Sequence, residues 1–206
     1  MFITFEGTEG SGKSVQARLL AARLRAAGRV VLETREPGGT LLGLELRHIL
    51  LDRKELELTP RAEALLMNAS RAQLVESVIQ PAIERGEIVV CDRFADSTLA
   101  YQGAGRGLEM DQLVSVISFA TALVRPDLTL LLDVPVEVGL ARKDAQQQNN
   151  RFEAETLAFH TRVRAAYRTL AAAEPERWRC FDGAGGVEQL ADEIWDAVAA
   201  QMGIQA

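Results

Sequence analysis

Gly7-Thr8-Glu9-Gly10-Ser11-Gly12-Lys13-Ser14, opened by Phe2-Ile3-Thr4-Phe5-Glu6 and followed by an amphipathic stretch from Val15 to Ala27, reads as a strand, a tight loop and a helix. The pattern G-x-x-x-x-G-K-[ST] has a physical reason at each fixed place. Glycines let backbone N–H groups converge on phosphate oxygens, Lys13 reaches the β/γ-phosphates, and Ser14 offers Mg²⁺ a hydroxyl. A glycine-rich turn that merely caps a helix needs neither the lysine nor the hydroxyl. Gly7, Thr8, Glu9, Gly10, Ser11, Gly12, Lys13 and Ser14 are therefore expected to cradle a nucleoside triphosphate.

Further strand-like runs lie at Val30 to Thr34, Ile88 to Cys91, Leu128 to Asp133 and Arg179 to Phe181, and helical patterns separate most of them. Such alternation predicts an α/β fold with a five-stranded parallel sheet flanked by helices. The helices are expected at about Pro60 to Arg85, with a kink at Pro81, then Glu109 to Val124, Val136 to Ala145, Glu153 to Ala173 and Val187 to Gln201. Ligands of such sheets gather beyond the carboxyl ends of the strands, where Gly7, Arg35, Asp92 and Asp133 fall. The polar run from Arg142 to Arg151 reads as a loop.

A chain of 206 residues, 48% hydrophobic, supports one sizeable core, so a single domain over 1–206 is expected. Its net charge of −6 argues against nucleic acid as the main partner and requires any phosphate-binding arginines to be concentrated locally. Cys91 and Cys180 sit in apolar runs, which suits buried, reduced thiols. The first residues lack a basic segment followed by an apolar run, and no stretch reaches the ~18 apolar residues of a membrane span, so the expectation is a cytoplasmic protein away from membranes.

Beyond the loop come Arg35-Glu36-Pro37-Gly38-Gly39-Thr40, Asp92-Arg93-Phe94 and Asp96-Ser97-Thr98-Leu99-Ala100-Tyr101-Gln102-Gly103. Arg125-Pro126-Asp127, Arg151-Phe152-Glu153 and Phe159-His160-x-x-Val163-x-x-x-Tyr167 follow. Together these resemble the thymidylate kinases, in the same order and at compatible spacing from the first strand to about Tyr167. The resemblance implies a three-layer P-loop nucleoside monophosphate kinase fold, ATP as donor, dTMP as acceptor, Mg²⁺, and a homodimer formed through apolar helix faces such as Leu113 to Leu123.

It also implies roles. Arg71 resembles the donor to thymine O4, with Thr98 and Gln102 at the other edge; an arginine there would repel the N4 amine of cytosine. Tyr101 lies under the sugar in this family and leaves little room for a 2′-hydroxyl. Arg93 and Arg47 resemble clamps on the acceptor phosphate, a task suited to the guanidinium, while Arg35, Glu36 and Pro37 shape the pocket. Asp92 ends its strand like a Walker-B carboxylate that holds Mg²⁺ directly or through water. Glu9, an acid inside an anion-binding loop, falls where the family places an acid near the acceptor sugar and phosphate.

Catalysis needs positive charge at the migrating phosphoryl, from Lys13, Arg93 and one further arginine. The phosphate loop holds no arginine, so that one is expected from a mobile lid at about 142–152, as Arg142 or Arg151. The sequence departs from the family at Met67, where an aromatic residue usually stacks on the base. A thioether against a ring contributes about 0.3 to 1.5 kcal/mol, and Met67 is equally compatible with plain core. His160 is expected on a helical surface or behind the site rather than in catalysis, and His48 is given no role. The rival readings are a kinase of the same fold for dUMP or another deoxynucleoside substrate, and a regulatory NTPase with no second substrate.

Overall fold

The computed structural model describes residues 1–145 and 151–203. Strands β1 (Phe2–Glu6), β2 (Val31–Arg35), β3 (Ile88–Asp92), β4 (Leu128–Asp133) and β5 (Trp178–Asp182) form a parallel sheet in the order β2-β3-β1-β4-β5. The three central strands, FITFE, IVVCD and LTLLLD, are near-continuous apolar runs, as burial on both faces demands. The edge strands β2 and β5 are partly exposed.

Helices α1 (Lys13–Ala26) and α9 (Val187–Met202) cover one face, where Leu20, Leu24, Ile194 and Val198 meet Ile3, Phe5, Val90 and Leu130. The other face carries α2 (Leu41–Leu51), α3 (Pro60–Leu74), α4 (Gln80–Glu84), α5 (Ala95–Thr98), α6 (Met110–Thr121), α7 (Val136–Ala145) and α8 (Leu157–Ala173). There Leu74 and Ile79 pack on Phe2, Val89 and Phe94, and Tyr101, Phe159 and Tyr167 pack near Leu131 and Trp178. The sheet thus lies between two helical layers.

The expected helix from Pro60 to Arg85 is interrupted by a π turn over Val75–Ile79. Pro81 has no N–H to offer the preceding turn and its ring crowds the carbonyl four residues back, so the turn before it widens. A second π stretch, Leu99–Gly105, follows α5. The helix expected from Glu153 begins at Leu157, because the Thr156 hydroxyl caps Phe159 N at 3.2 Å. Helix α2, which the periodicity reading did not place, starts where Thr40 accepts from Gly43 N at 2.9 Å.

Of the two cysteines, Cys91 is buried as expected, but Cys180 is exposed because β5 is an edge strand; both are free. Asp133 does not open into the ligand crevice, since Arg164 takes both its oxygens at 2.7 and 3.0 Å. Residues 146–150 of the expected lid lie outside the described residues. The phosphate loop and α7 meet backbone to backbone: a β-carbon on Gly10 would stand 2.0 Å from the Gly139 carbonyl oxygen, and one on Gly139 2.3 Å from that of Glu9. Among the described residues no helix is long and apolar enough to cross a membrane.

Candidate active site

A cleft of about 900 Å³ opens at the carboxyl ends of β1, β2 and β3. Its lining includes Glu9 to Ser14, Arg35, Pro37, Arg47, Met67, Arg71, Asp92, Arg93, Thr98, Tyr101, Gln102 and Arg142. Gly7 begins the loop at φ 141°, with a β-carbon there meeting the Leu132 carbonyl at 2.5 Å, and Thr8 is buried in the loop behind the cleft. Arg151 stands outside the lining; its backbone N–H donates to Leu51 O at 3.2 Å and its guanidinium to Arg53 O at 2.7 Å.

Lys13 Nζ donates to Thr8 O at 2.7 Å and Ser11 Oγ at 3.1 Å, so the loop's own oxygens orient the cation. Burial and the neighbouring Arg93 charge bring its pKa down to about 8 from 10.5, although Glu9 and Asp92 oppose this. Ser14 Oγ is hydrogen-bonded to Asp92 Oδ2, and Asp92 Oδ1 is buried with no hydrogen-bond partner. A hydroxyl and a carboxylate oxygen with spare acceptor capacity suit a hard divalent cation that shares its remaining ligands with phosphates and water.

Arg93 holds the centre of the cleft at a left-handed φ of 70°, immediately after β3. One terminal nitrogen donates to Glu9 Oε1 at 2.9 Å and Tyr101 Oη at 3.0 Å; the other to Gly7 O, Ser97 Oγ and Tyr167 Oη at 3.1 to 3.2 Å. Burial by itself would raise the Glu9 pKa, but Arg93, Lys13 and the Tyr101 hydroxyl outweigh it and hold the carboxylate at about 2. The acid in the anion-binding loop is thus a fixed negative charge bonded to a guanidinium and a phenol. Arg35 and Arg47 stand close enough to Arg93 that burial and their mutual repulsion depress the Arg47 pKa, and Arg47 donates to Pro37 O at 3.1 Å. Three arginines in one cleft wall concentrate positive charge there, which suits a dianion.

Arg71 is 2% exposed yet reaches the cleft wall. Glu36 Oε2 takes its Nε at 2.9 Å and a terminal nitrogen at 2.7 Å, Phe94 O accepts at 3.2 Å, and Asn68 Oδ1 accepts from the other terminal nitrogen at 2.7 Å. This leaves N–H capacity on one terminal nitrogen for an acceptor in the cleft. The Glu36-Pro37 peptide bond is cis. Thr98 is buried beside Tyr101, and Met67 both lines the cleft and packs on the Tyr101 cluster, so the two readings of Met67 are compatible.

Several supports escaped the sequence reading. Glu6, at the end of β1, accepts from Phe94 N at 2.8 Å, Ser97 Oγ at 2.6 Å and Tyr167 Oη at 2.8 Å. Burial and the nearby Asp96 charge raise its pKa to about 7 against the bonds from Ser97 and Phe94. Asn68 orients Arg71 together with Glu36, which the sequence reading placed in the pocket but without this partner; an acid paired across 35 residues leaves no local sequence signal. His160 is buried on α8, with its ring 5.4 Å from that of Phe159, and His48 is exposed.

A family model described as thymidylate kinase matches residues 5–194. The chain belongs to the thymidylate kinase family. A thymidylate kinase of Thermomicrobium roseum is 54% identical over 202 residues, covering 98% of this chain and 95% of that protein. One from Deinococcus radiodurans is 50% identical, covering 97% and 96%. The crystal structure of thymidylate kinase from Ehrlichia chaffeensis superimposes with a TM-score of 0.77 at 33% identity, over 96% of this chain and 98% of that one. Membership assigns the sheet order and the phosphate loop to a P-loop nucleoside monophosphate kinase fold.

Proposed function

We propose that this chain transfers the γ-phosphoryl of ATP to dTMP, giving dTDP and ADP. The observation that carries the reading is the meeting, in one cleft, of a phosphate loop with three guanidiniums and a buried arginine that keeps N–H capacity for a base. A nucleotide-hydrolysing switch has no use for the last two.

An oxygen of the acceptor phosphate attacks the γ-phosphorus as the bond to the β–γ bridging oxygen breaks, and ADP leaves. That oxygen is already ionised, so positioning and charge neutralisation suffice without a general base. Arg35, Arg47 and Arg93 hold the acceptor phosphate, Glu9 and Tyr101 bound the deoxyribose, and Arg71, Thr98 and Gln102 face the base. Backbone N–H groups of the loop and Lys13 hold the donor phosphates. Ser14 and Asp92 would hold Mg²⁺, which when bound neutralises charge on the donor's β- and γ-oxygens.

Arg142 or Arg151, carried by a lid over about 142–152, completes the positive charge. The lid, the single domain and a cytoplasmic location belong to the same reading, as does a homodimer. Exposed Val114, Phe119 and Leu123 on or just after α6 support the dimer. A coupled ADP-release assay over a panel of monophosphates tests the function: dTMP should be the best acceptor. Equal turnover of dCMP or dGMP, or ATP turnover indifferent to any monophosphate, overturns it.

A further inference from the structure

Behind the base-facing wall lies a charged cluster that the phosphoryl-transfer reading does not use. Glu63, on the first turn of α3, is 1% exposed and does not line the cleft. Its Oε1 accepts from Gln102 Nε2 at 2.8 Å and from Arg106 Nε at 3.2 Å, and its Oε2 accepts from an Arg106 terminal nitrogen at 3.0 Å. The other terminal nitrogen of Arg106 donates to Glu155 Oε1 at 2.5 Å, ahead of α8. The guanidinium lies 4.9 Å from the Phe159 ring centre and 5.7 Å from that of Phe152.

Side-chain amides ordinarily have two interchangeable orientations, but an ionised carboxylate can only accept hydrogen bonds. With Gln102 Nε2 committed to Glu63, the carbonyl oxygen is the end left for the cleft that Gln102 lines. Arg106 grips the same carboxylate side-on through two nitrogens and supplies its countercharge. We propose that Glu63 and Arg106 are positioning residues that lock the Gln102 amide with its oxygen toward the acceptor base, so that the cleft takes a base carrying an N–H at that edge and rejects one with a bare ring nitrogen. Thymine and uracil carry that N–H at N3, whereas cytosine presents a lone pair there.

This rests on the dTMP kinase reading above, and the test separates the two. In the wild-type protein, kcat/KM for dTMP and dCMP gives a preference ratio; no preference for dTMP overturns the thymidylate reading itself. Glu63→Gln can donate as well as accept, freeing the Gln102 amide to turn. The ratio should then fall about tenfold or more, the worth of one hydrogen bond to a charged group. The double variant Glu63→Gln/Gln102→Glu, which restores an oxygen toward the base, should recover most of it. A purely structural role would lower both acceptors alike, and a ratio that falls by less than about tenfold overturns the proposal. Should Glu63→Gln not fold, Arg106→Lys decides: its single ammonium cannot grip both carboxylates, so the ratio should drop, and an unchanged ratio again overturns it.

Discussion

Lys13 is the residue whose charge state is most open to measurement. Burial and Arg93 bring its pKa to about 8, below its ordinary 10.5. Triphosphate oxygens would restore the charged form, so nucleotide binding should take up protons in the window between those values, approaching one per site near pH ~9. Calorimetry in two buffers of different ionisation enthalpy should show the uptake for the wild type and none for Lys13→Arg, whose guanidinium stays charged throughout. Equal heats for the wild type in both buffers would refute the depressed pKa. Single-residue chemistry was the most legible part of the sequence, because the fixed places of the phosphate loop name their own roles. Met67 shows the limit: a side chain that both lines the cleft and packs in the core leaves a pattern that fits either use.

The strands were readable because their apolar runs are dictated by burial on both faces, and β4 matches its expected bounds. Elements shaped by tertiary demands were not. The π turn at Val75–Ile79 answers to Pro81, and α2 depends on a cap at Thr40 rather than on a strong periodic signal. The arginines at either side of the expected lid stand in different settings. Arg142 is pinned by the carbonyls of Gly10, Gly183 and Ala184 at 2.8 to 3.3 Å, whereas Arg151 is tied to the end of α2. Alanine at the one that meets the migrating phosphoryl should lower kcat about 10³-fold, by analogy with arginine fingers, with little change in protein stability. Single-turnover measurements on Arg142→Ala and Arg151→Ala settle which it is; losses under about tenfold in both would remove the lid from the mechanism.

The proposed homodimer rests on what the layers leave uncovered. On and after α6, Leu113 turns inward while Phe119 is 90% and Leu123 77% exposed, and Leu65 on the adjoining α3 is also uncovered. An apolar stripe of this kind is costly in water and suits a second copy of the chain. Light scattering should give twice the 22.5 kDa chain mass, and Phe119→Asp should reduce it to one. A wild-type monomer at micromolar concentration would rule the dimer out. Periodicity could not separate Leu113 from Phe119, since both belong to one amphipathic helix and only the packed structure says which faces α3. At Gly10 and Gly139 two backbones leave each other no space. Each already lacks a side chain, so no trimming of one can make room for growth at the other. A side chain introduced at Gly139, which lies outside the cleft lining, would therefore displace the phosphate loop by pressing on the Glu9 carbonyl.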